Sequence, residues 1–425
     1  MSLQNIAEQA LACMREQGFE HAQVSASRTV MDELNVNHNE PSLMRSTEMQ
    51  RLSLLGIVDG RMASTELADL APDAMRAAVA GLFADAGSAP QDAANAVSSG
   101  QAVRIEQGPQ QADVPLLAAK VGELLEFRAR ETPKMMVDEA SARHTLLRSH
   151  TLTTGGSDLS CSLGWYAIDL FGTARDGKQS SSFNETGGFT DQLADRHAVE
   201  HFGIGEMLRD TEQQIHTQPL GGRFTGDVVL TPNAVSALLG WLLGQLGDTQ
   251  LIAGSSLYRH SVGQAIASPL LHLRSRFDAP GVAAISADAF AAAPVELLRA
   301  GQLMTLTPSL YGSRKTGLPH VPVASAGWDL DAGSTPRSEL VAGVARGALV
   351  GRLSMGNPAA NGDFSGVIKN SFAIVDGQVG PALSEVMISG NMAQMLRDVV
   401  AVSRERIDTG SVRLPWLRIG NLHFS

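Results

Sequence analysis

Cysteine, positive charge and long apolar runs are what this sequence has little of, and each shortage removes a class of function. Its 425 residues contain two cysteines, Cys13 and Cys161, and neither lies in a C-x-x-C pair. That excludes a disulfide framework and predicts two reduced thiols. Lysine and arginine total 33 against 44 aspartates and glutamates, a formal charge of -11. Phosphate binding needs a concentrated positive field, so no nucleic-acid surface is expected. The longest apolar candidate, Ala234 to Leu246, is too short to cross a bilayer. Residues Met1 to Gly18 carry Glu8, Arg15 and Glu16 inside a helical pattern, which leaves no uninterrupted apolar core for a signal peptide. These absences predict a cytoplasmic protein with no membrane partner.

What remains is ordinary globular material, with 44% apolar and 18% charged residues and enough length for two or three domains. Ile6, Ala7, Ala10, Leu11 and Met14 recur at helical spacing and Gly18 stands at the expected C-cap. Alternation predicts strands over Ala22–Arg28, Glu33–His38 and Arg51–Val58, with Asp59-Gly60 as a hairpin turn into Arg61–Thr65. A helix is expected over Asp69–Asp85, then an exposed connection from Ala86 to Asp113 rich in Ser, Ala, Gly, Gln and Pro. Val114–Thr132 reads as a helix. Met135–Ser149, Thr151–Thr154, Leu159–Thr173 and Lys178–Thr186 read as a strand meander, and Asp191–Gln214 as a further helix. Asp227–Leu230 is a short buried strand, and the apolar residues of Ala234–Leu246 run nearly all round a packing helix. The expectation is an α+β chain divided into residues 1–110, a central strand-rich section 111–215 and a C-terminal domain 216–425.

Two constellations compete for chemistry. His197-Ala198-Val199-Glu200-His201 fits H-x-x-E-H, an inverted zincin pattern that would put His197 and His201 on one helix face with Glu200 beside them. No third ligand is marked out downstream, and the other nine of the 11 histidines are scattered without ligand spacing. No Gly-x-Ser-x-Gly elbow supports a serine nucleophile.

The second constellation is more extended. Gly356-Asn357-Pro358-Ala359-Ala360-Asn361-Gly362-Asp363-Phe364-Ser365-Gly366, then Pro381 to Glu385 and Ile388 to Asn391, resembles the C-terminal signature of the TldD/PmbA family. Gly254-Ser255-Ser256, Phe277-Asp278 with Gly281-Val282, and Arg314-Lys315-Thr316-Gly317 extend the resemblance, although Ala279-Pro280 stands where the family commonly has acidic residues. That family, long labelled modulators of DNA gyrase, is understood as two-subunit zinc peptidases. The label carries no implication of DNA binding for so acidic a chain.

In the catalytic type of subunit, a helix carries His-Glu-x-x-x-His. Residues five apart lie about 140° apart around a helix, so two imidazoles can approach one cation while the intervening Glu serves as base. Placed on that pattern, Leu238 to Gln245 puts Gly240 and Trp241 where the first His and the Glu would stand, and Gln245 where the second His would stand. The family's cysteine ligand would fall near Asp408-Thr409-Gly410. Glycine has no ligand atom, indole N–H only donates, and an amide is a poor zinc ligand. The resemblance therefore implies a PmbA/TldE-like subunit without its own zinc, with the metal in a TldD-like partner and an unfolded peptide as substrate. Ser255, Ser256, Arg314, Asn361, Asp363 and Phe364 are the implied substrate or interface positions. Two alternatives stand beside this reading: a homodimeric metallopeptidase using His197, Glu200 and His201, and a non-enzymatic homodimeric binding protein.

Overall fold

Ser2 accepts the amide of Asn5, and Gly18 turns left-handed at φ 103°, so the first periodic segment forms helix α1 (Leu3–Gln17). The computed structural model describes residues 2–219, 221–276, 279–323, 327–384 and 386–425. After α1 come β1 (His21–Asn37), β2 (Glu40–Val58), β3 (Arg61–Leu67), α2 (Pro72–Ser88), β4 (Ala102–Gln107), α3 (Val114–Glu131), β5 (Met135–Thr153), β6 (Asp158–Asp176), β7 (Gln179–Ser180) and β8 (Asn184–Thr190). They build one sheet in the order β3-β2-β1-β5-β6-β4, with β8 also paired to β6. Strands from both sides of residue 110 share this sheet.

One face of the sheet is apolar at both ends, with Arg28 and Asp32 of β1 on the same face between them. At one end α1 and α2 pack Ile6, Leu11, Met14, Val79 and Leu82 against Val24, Leu52 and Leu54. At the other end α3 and α4 (Ile204–Gln213) pack against Val36, Ala142 and Ile168. The alternate residues Glu33, Asn35 and Asn37 of β1 point to the opposite face, which lines a cavity shared with Pro232, Asn233 and Ser236.

The sequence reading is borne out in kind, an α+β fold, and corrected in several boundaries. β1 is continuous where two strands were expected, and β2 begins at Glu40, because His38 and Asn39 make the connecting turn at φ 51° and 70°. Asn39 offsets the strain of that conformation by accepting the Val137 amide at 2.7 Å. The presumed connection 86–113 contains β4, paired parallel to β6.

Residues 191–214 are not one helix. Two short 3₁₀ turns, Leu193–Asp195 and Ala198–Glu200, precede α4, and Phe202 and Gly203 interrupt the chain with φ 55° and 74°. The helix beginning at Met392 ends at Arg397. Val399–Asp408 is a strand, since its β-branched run pairs with Val412–Phe424.

After β9 (Thr217–Pro219), β10 (Phe224–Leu230) opens the second sheet between Arg346–Val350, parallel, and Val412–Phe424, antiparallel. Thr231 then caps α5 (Pro232–Leu246) through the Ala234 amide, with Pro232 in its first turn. Leu238, Leu242 and Leu246 of α5 are fully buried in the largest core cluster. Each such side chain stabilises the fold by roughly 1.5–3 kcal/mol.

Candidate functional site

α5 presents the positions at issue. Gly240 and Gly244 lie on its exposed side, and a Cβ at either would meet nothing within 4 Å. Packing therefore does not demand glycine there, and a ligand side chain would fit. Trp241 is half-buried, edge-on to Tyr258 with ring centroids 6.2 Å apart. Gly362, at φ +91°, approaches so closely that a Cβ would lie 3.1 Å from the indole. Gln245 is buried, and its Oε1 accepts the Leu257 amide at 3.0 Å. Ser256 Oγ donates to the Gln245 carbonyl at 2.6 Å, and Ser255 Oγ bonds the Gln250 side chain. The Gly254-Ser255-Ser256 segment thus ties down the end of α5.

The turn around Gly362 has a similar structural economy. Asn361 Nδ2 donates to Asp363 at 2.7 Å, and Asn391 Nδ2 donates to Asp363 at 2.8 Å and to the Asn361 carbonyl at 2.9 Å. The two amides hold the Asp363 carboxyl below its ordinary range. Asn391 also caps the following helix through the Gln394 amide at 3.1 Å. Phe364 is buried in the main core. Asn361 and Asp363 remain exposed beside Trp241, whereas Phe364 is inside.

Arg314 reaches away from this region. Its guanidinium donates to the carbonyls of Ala93 at 2.8 Å and Asn95 at 3.4 Å. Next to it, Lys315 and Tyr311 both contact Asp92, at 2.9 and 2.8 Å, and with the Ala94 amide they hold that carboxyl at about 2. The short helix Leu310–Thr316 that carries these residues fastens the C-terminal domain to the segment around residues 91–95. Of the other quoted segments, Val282 lies with Ala279 in a small apolar cluster and Gly281 comes so close to Trp165 that a Cβ would lie 3.0 Å from the indole, while Phe277, Asp278 and Glu385 lie outside the described residues.

The H-x-x-E-H segment is wound as a capping turn. His197 is the N-cap of Ala198–Glu200, and the Glu200 carboxylate accepts the His197 amide at 3.3 Å. His201 is buried, donates from Nε2 to the Leu193 carbonyl at 3.2 Å, and has its pKa lowered, chiefly by burial. The expected shared helix face does not exist, because a 3₁₀ turn followed by extended backbone separates the two rings. Among the described residues no three His, Cys, Asp or Glu side chains form a group that could hold a metal.

A cavity of about 780 Å³ lies between the polar face of the first sheet and the C-terminal domain. Its sheet wall carries Glu33, Arg45, Asp169 and Glu185, and its far wall Ser236 of α5 and Thr409. Glu33 pairs with Arg45, and Asp169 with Arg143. Ser236 precedes Gly240 by one helical turn, so the cavity ends beside the position where the first ligand of the family motif would stand. Sequence reasoning missed this wall. The signal was the run Glu33, Asn35, Asn37, three polar residues on one side of a strand, but nothing local told that side from a solvated one.

Comparison with known proteins places these features. Residues 223–425 match the family model described as the PmbA/TldA metallopeptidase C-terminal domain. The chain is 26% identical over 274 residues to a metalloprotease of Methanothermobacter thermautotrophicus, a match spanning 60% of this chain and 59% of that relative. In structure it resembles TldE from Thermococcus kodakarensis with a TM-score of 0.84 and 18% identity, covering 99% of this chain and 100% of that one. A putative modulator of DNA gyrase from Bacteroides thetaiotaomicron matches with a TM-score of 0.85 and 19% identity, covering 99% and 98%. These likenesses extend the shared fold beyond the matched domain to nearly the whole chain. The C-terminal domain of this chain, residues 223–425, is thus of the PmbA/TldD metallopeptidase type.

Proposed function

We propose that this chain is the TldE-like, non-catalytic subunit of a TldD/PmbA-type peptidase that handles unfolded peptides. The observation that supports the reading is α5: a well-packed helix whose Gly240, Trp241 and Gln245 fall where the resemblance would put the family's first imidazole, carboxylate and second imidazole. None of the three offers a zinc ligand, and the Gln245 amide oxygen is already committed to the Leu257 amide. Thr409, near the position of the family's cysteine, supplies only a hydroxyl, and it shares that with the Val412 carbonyl at 3.2 Å. The residues present do not fit a zinc ion, so the metal belongs to a TldD-like partner in this reading. There it would activate the attacking water.

What this chain contributes is enclosure. The cavity wall is a polar sheet face with paired charges, which suits an extended segment of mixed sequence better than one apolar side chain. No helix among the described residues is long and apolar enough to cross a membrane, and we assign the complex to the cytoplasm.

Elemental analysis of the untagged chain, purified alone without chelators, tests the proposal. Less than about a tenth of an equivalent of zinc is expected, since a three-ligand protein site retains its metal through purification. Near one equivalent, lost on His197→Ala, would overturn it. With a TldD-like partner added, cleavage of an unfolded peptide should require both chains.

A further inference from the structure

The cavity between the first sheet and the C-terminal domain is unevenly charged. Among the described residues its ionisable lining is Glu33, Glu139, Asp169 and Glu185 with one cation, Arg45. Glu33 is paired with Arg45, and Asp169 with Arg143. Glu139 and Glu185 are exposed and have no cationic partner among the described residues. The far wall, from Asn233 and Ser236 of α5 to Thr409, adds hydroxyl and amide groups but no charge.

Strand register sets those two free carboxylates around an aromatic ring. Phe171 of β6 stands directly opposite Glu139 of β5 on one side and Glu185 of β8 on the other. Residues opposite one another in a ladder share a face, so the three side chains form one row across the cavity wall, each carboxylate one strand spacing of about 4.8 Å from the ring at the backbone. Phe171 is 37% exposed and lines the cavity. Its neighbour Phe183, with ring centroids 5.3 Å apart, already carries a cation, for the Arg352 guanidinium lies 4.1 Å over it. Among the described residues no cation of the chain lies over Phe171. A ring face attracts a cation, a carboxylate on each side adds opposite charge, and protein walls that displace water strengthen both. A neutral side chain gains neither attraction, and an acidic one is repelled. Among the described residues no group could hold a metal ion, and a ring set between the carboxylates fits an organic cation instead.

We propose that the row Glu139, Phe171 and Glu185 is a subsite for a lysine or arginine side chain of a peptide lying in the cavity. That the occupant is a peptide rests on the proposed function, and the subsite narrows mixed sequence to segments that place a cation there. Binding to the isolated chain reads it out, where neither zinc nor a catalytic partner takes part. A failure of this inference is therefore distinct from a failure of the subunit reading, which metal content decides.

Isothermal titration of the purified full chain with unstructured peptides tests it. The peptides share one Gly-Ser-Asn frame, acetylated and amidated at the ends, with Arg, Lys, Gln or Glu at the centre. The Arg and Lys peptides should bind about tenfold more tightly than the Gln peptide, and the Glu peptide most weakly. Glu139→Gln together with Glu185→Gln should remove that advantage and leave the melting curve unchanged, because both side chains are exposed. Glu8→Gln together with Glu16→Gln, both exposed on α1, changes the net charge equally and should keep the advantage, which separates the subsite from general attraction to an acidic chain. Phe171→Leu should weaken the Arg peptide about two- to fivefold and leave the Gln peptide unaffected. Equal binding of the Arg and Gln peptides, an advantage that survives the double substitution at 139 and 185, or no binding of any peptide would overturn the proposal. So would tight binding of the Gln peptide once its N-terminus is left free, which would give the row to an α-amine.

Discussion

Helix α5 and the segment from His197 to His201 differ in what each would need to hold a metal. α5 has the rigid scaffold, with Leu238, Leu242 and Leu246 locked in the main core and an exposed side at Gly240 and Gly244 open to side chains, but it carries no imidazole or carboxylate. The other segment has the ligand types, yet its backbone is a 3₁₀ turn flanked by extended residues, and His201 faces inward to Leu193. A metal site requires donor atoms and a backbone that converges them. Neither region has both, and the comparison shows that residue type and spacing are informative only after the conformation that gives spacing its meaning.

The contrast can be broken or sharpened by substitution. The largest effect is expected inside α5: Leu242→Ala should cost about 2–5 kcal/mol of unfolding free energy in urea titrations, because the cavity it opens is walled by a rigid core. Gln245→Leu should cost roughly 1–3 kcal/mol by stranding the Leu257 amide, which would mark position 245 as a structural clamp. A loss within error would instead return that position to the functional ledger.

His201 gives a pH-dependent test. Its folded pKa lies below its ordinary value, so the unfolded chain binds the extra proton more readily. The stability contribution is full above about pH 6.5 and is lost as pH falls through that value toward the folded pKa. Urea midpoints between pH 5 and 8 should show this slope, and His201→Gln should flatten it. Were the imidazole a zinc ligand, added zinc would steepen the slope.

Gly240→Ala should raise stability by about 0.5–1 kcal/mol, since the site is helical, exposed and unobstructed. Loss of stability there would mean that something else comes to rest on the bare face of α5. Smallest of all is the effect expected of zinc on the melting temperature of the isolated chain, which is none.

Much of the fold was legible along the chain. The Gly18 C-cap of α1, the Asp59-Gly60 hairpin at φ 49° and 67°, and the buried strand leading into α5 all stand where local signals put them. What misled was continuity. The turn at His38-Asn39 lacks glycine and is held by a contact to Val137, nearly a hundred residues away, and no local pattern could have announced it. Arg314 and Lys315 looked like a solvated or substrate-facing turn. Their partners Ala93, Asn95 and Asp92 come from a segment more than two hundred residues earlier. Asn361 and Asp363 read as turn formers and are turn formers, here tied to Asn391.

The sequence by itself determined the class of elements, the acidic net charge and the absence of imidazole and carboxylate from α5, because these depend on residue identity and short-range periodicity. Tertiary structure alone decided that β1 and β2 run on into an open edge, that Glu33, Arg45, Asp169, Ser236 and Thr409 enclose one cavity, and that His197 and His201 do not face a common point. Those outcomes depend on which distant segments pair and which face of each strand the helices cover, and the free energy of that choice is shared among contacts far apart in the chain.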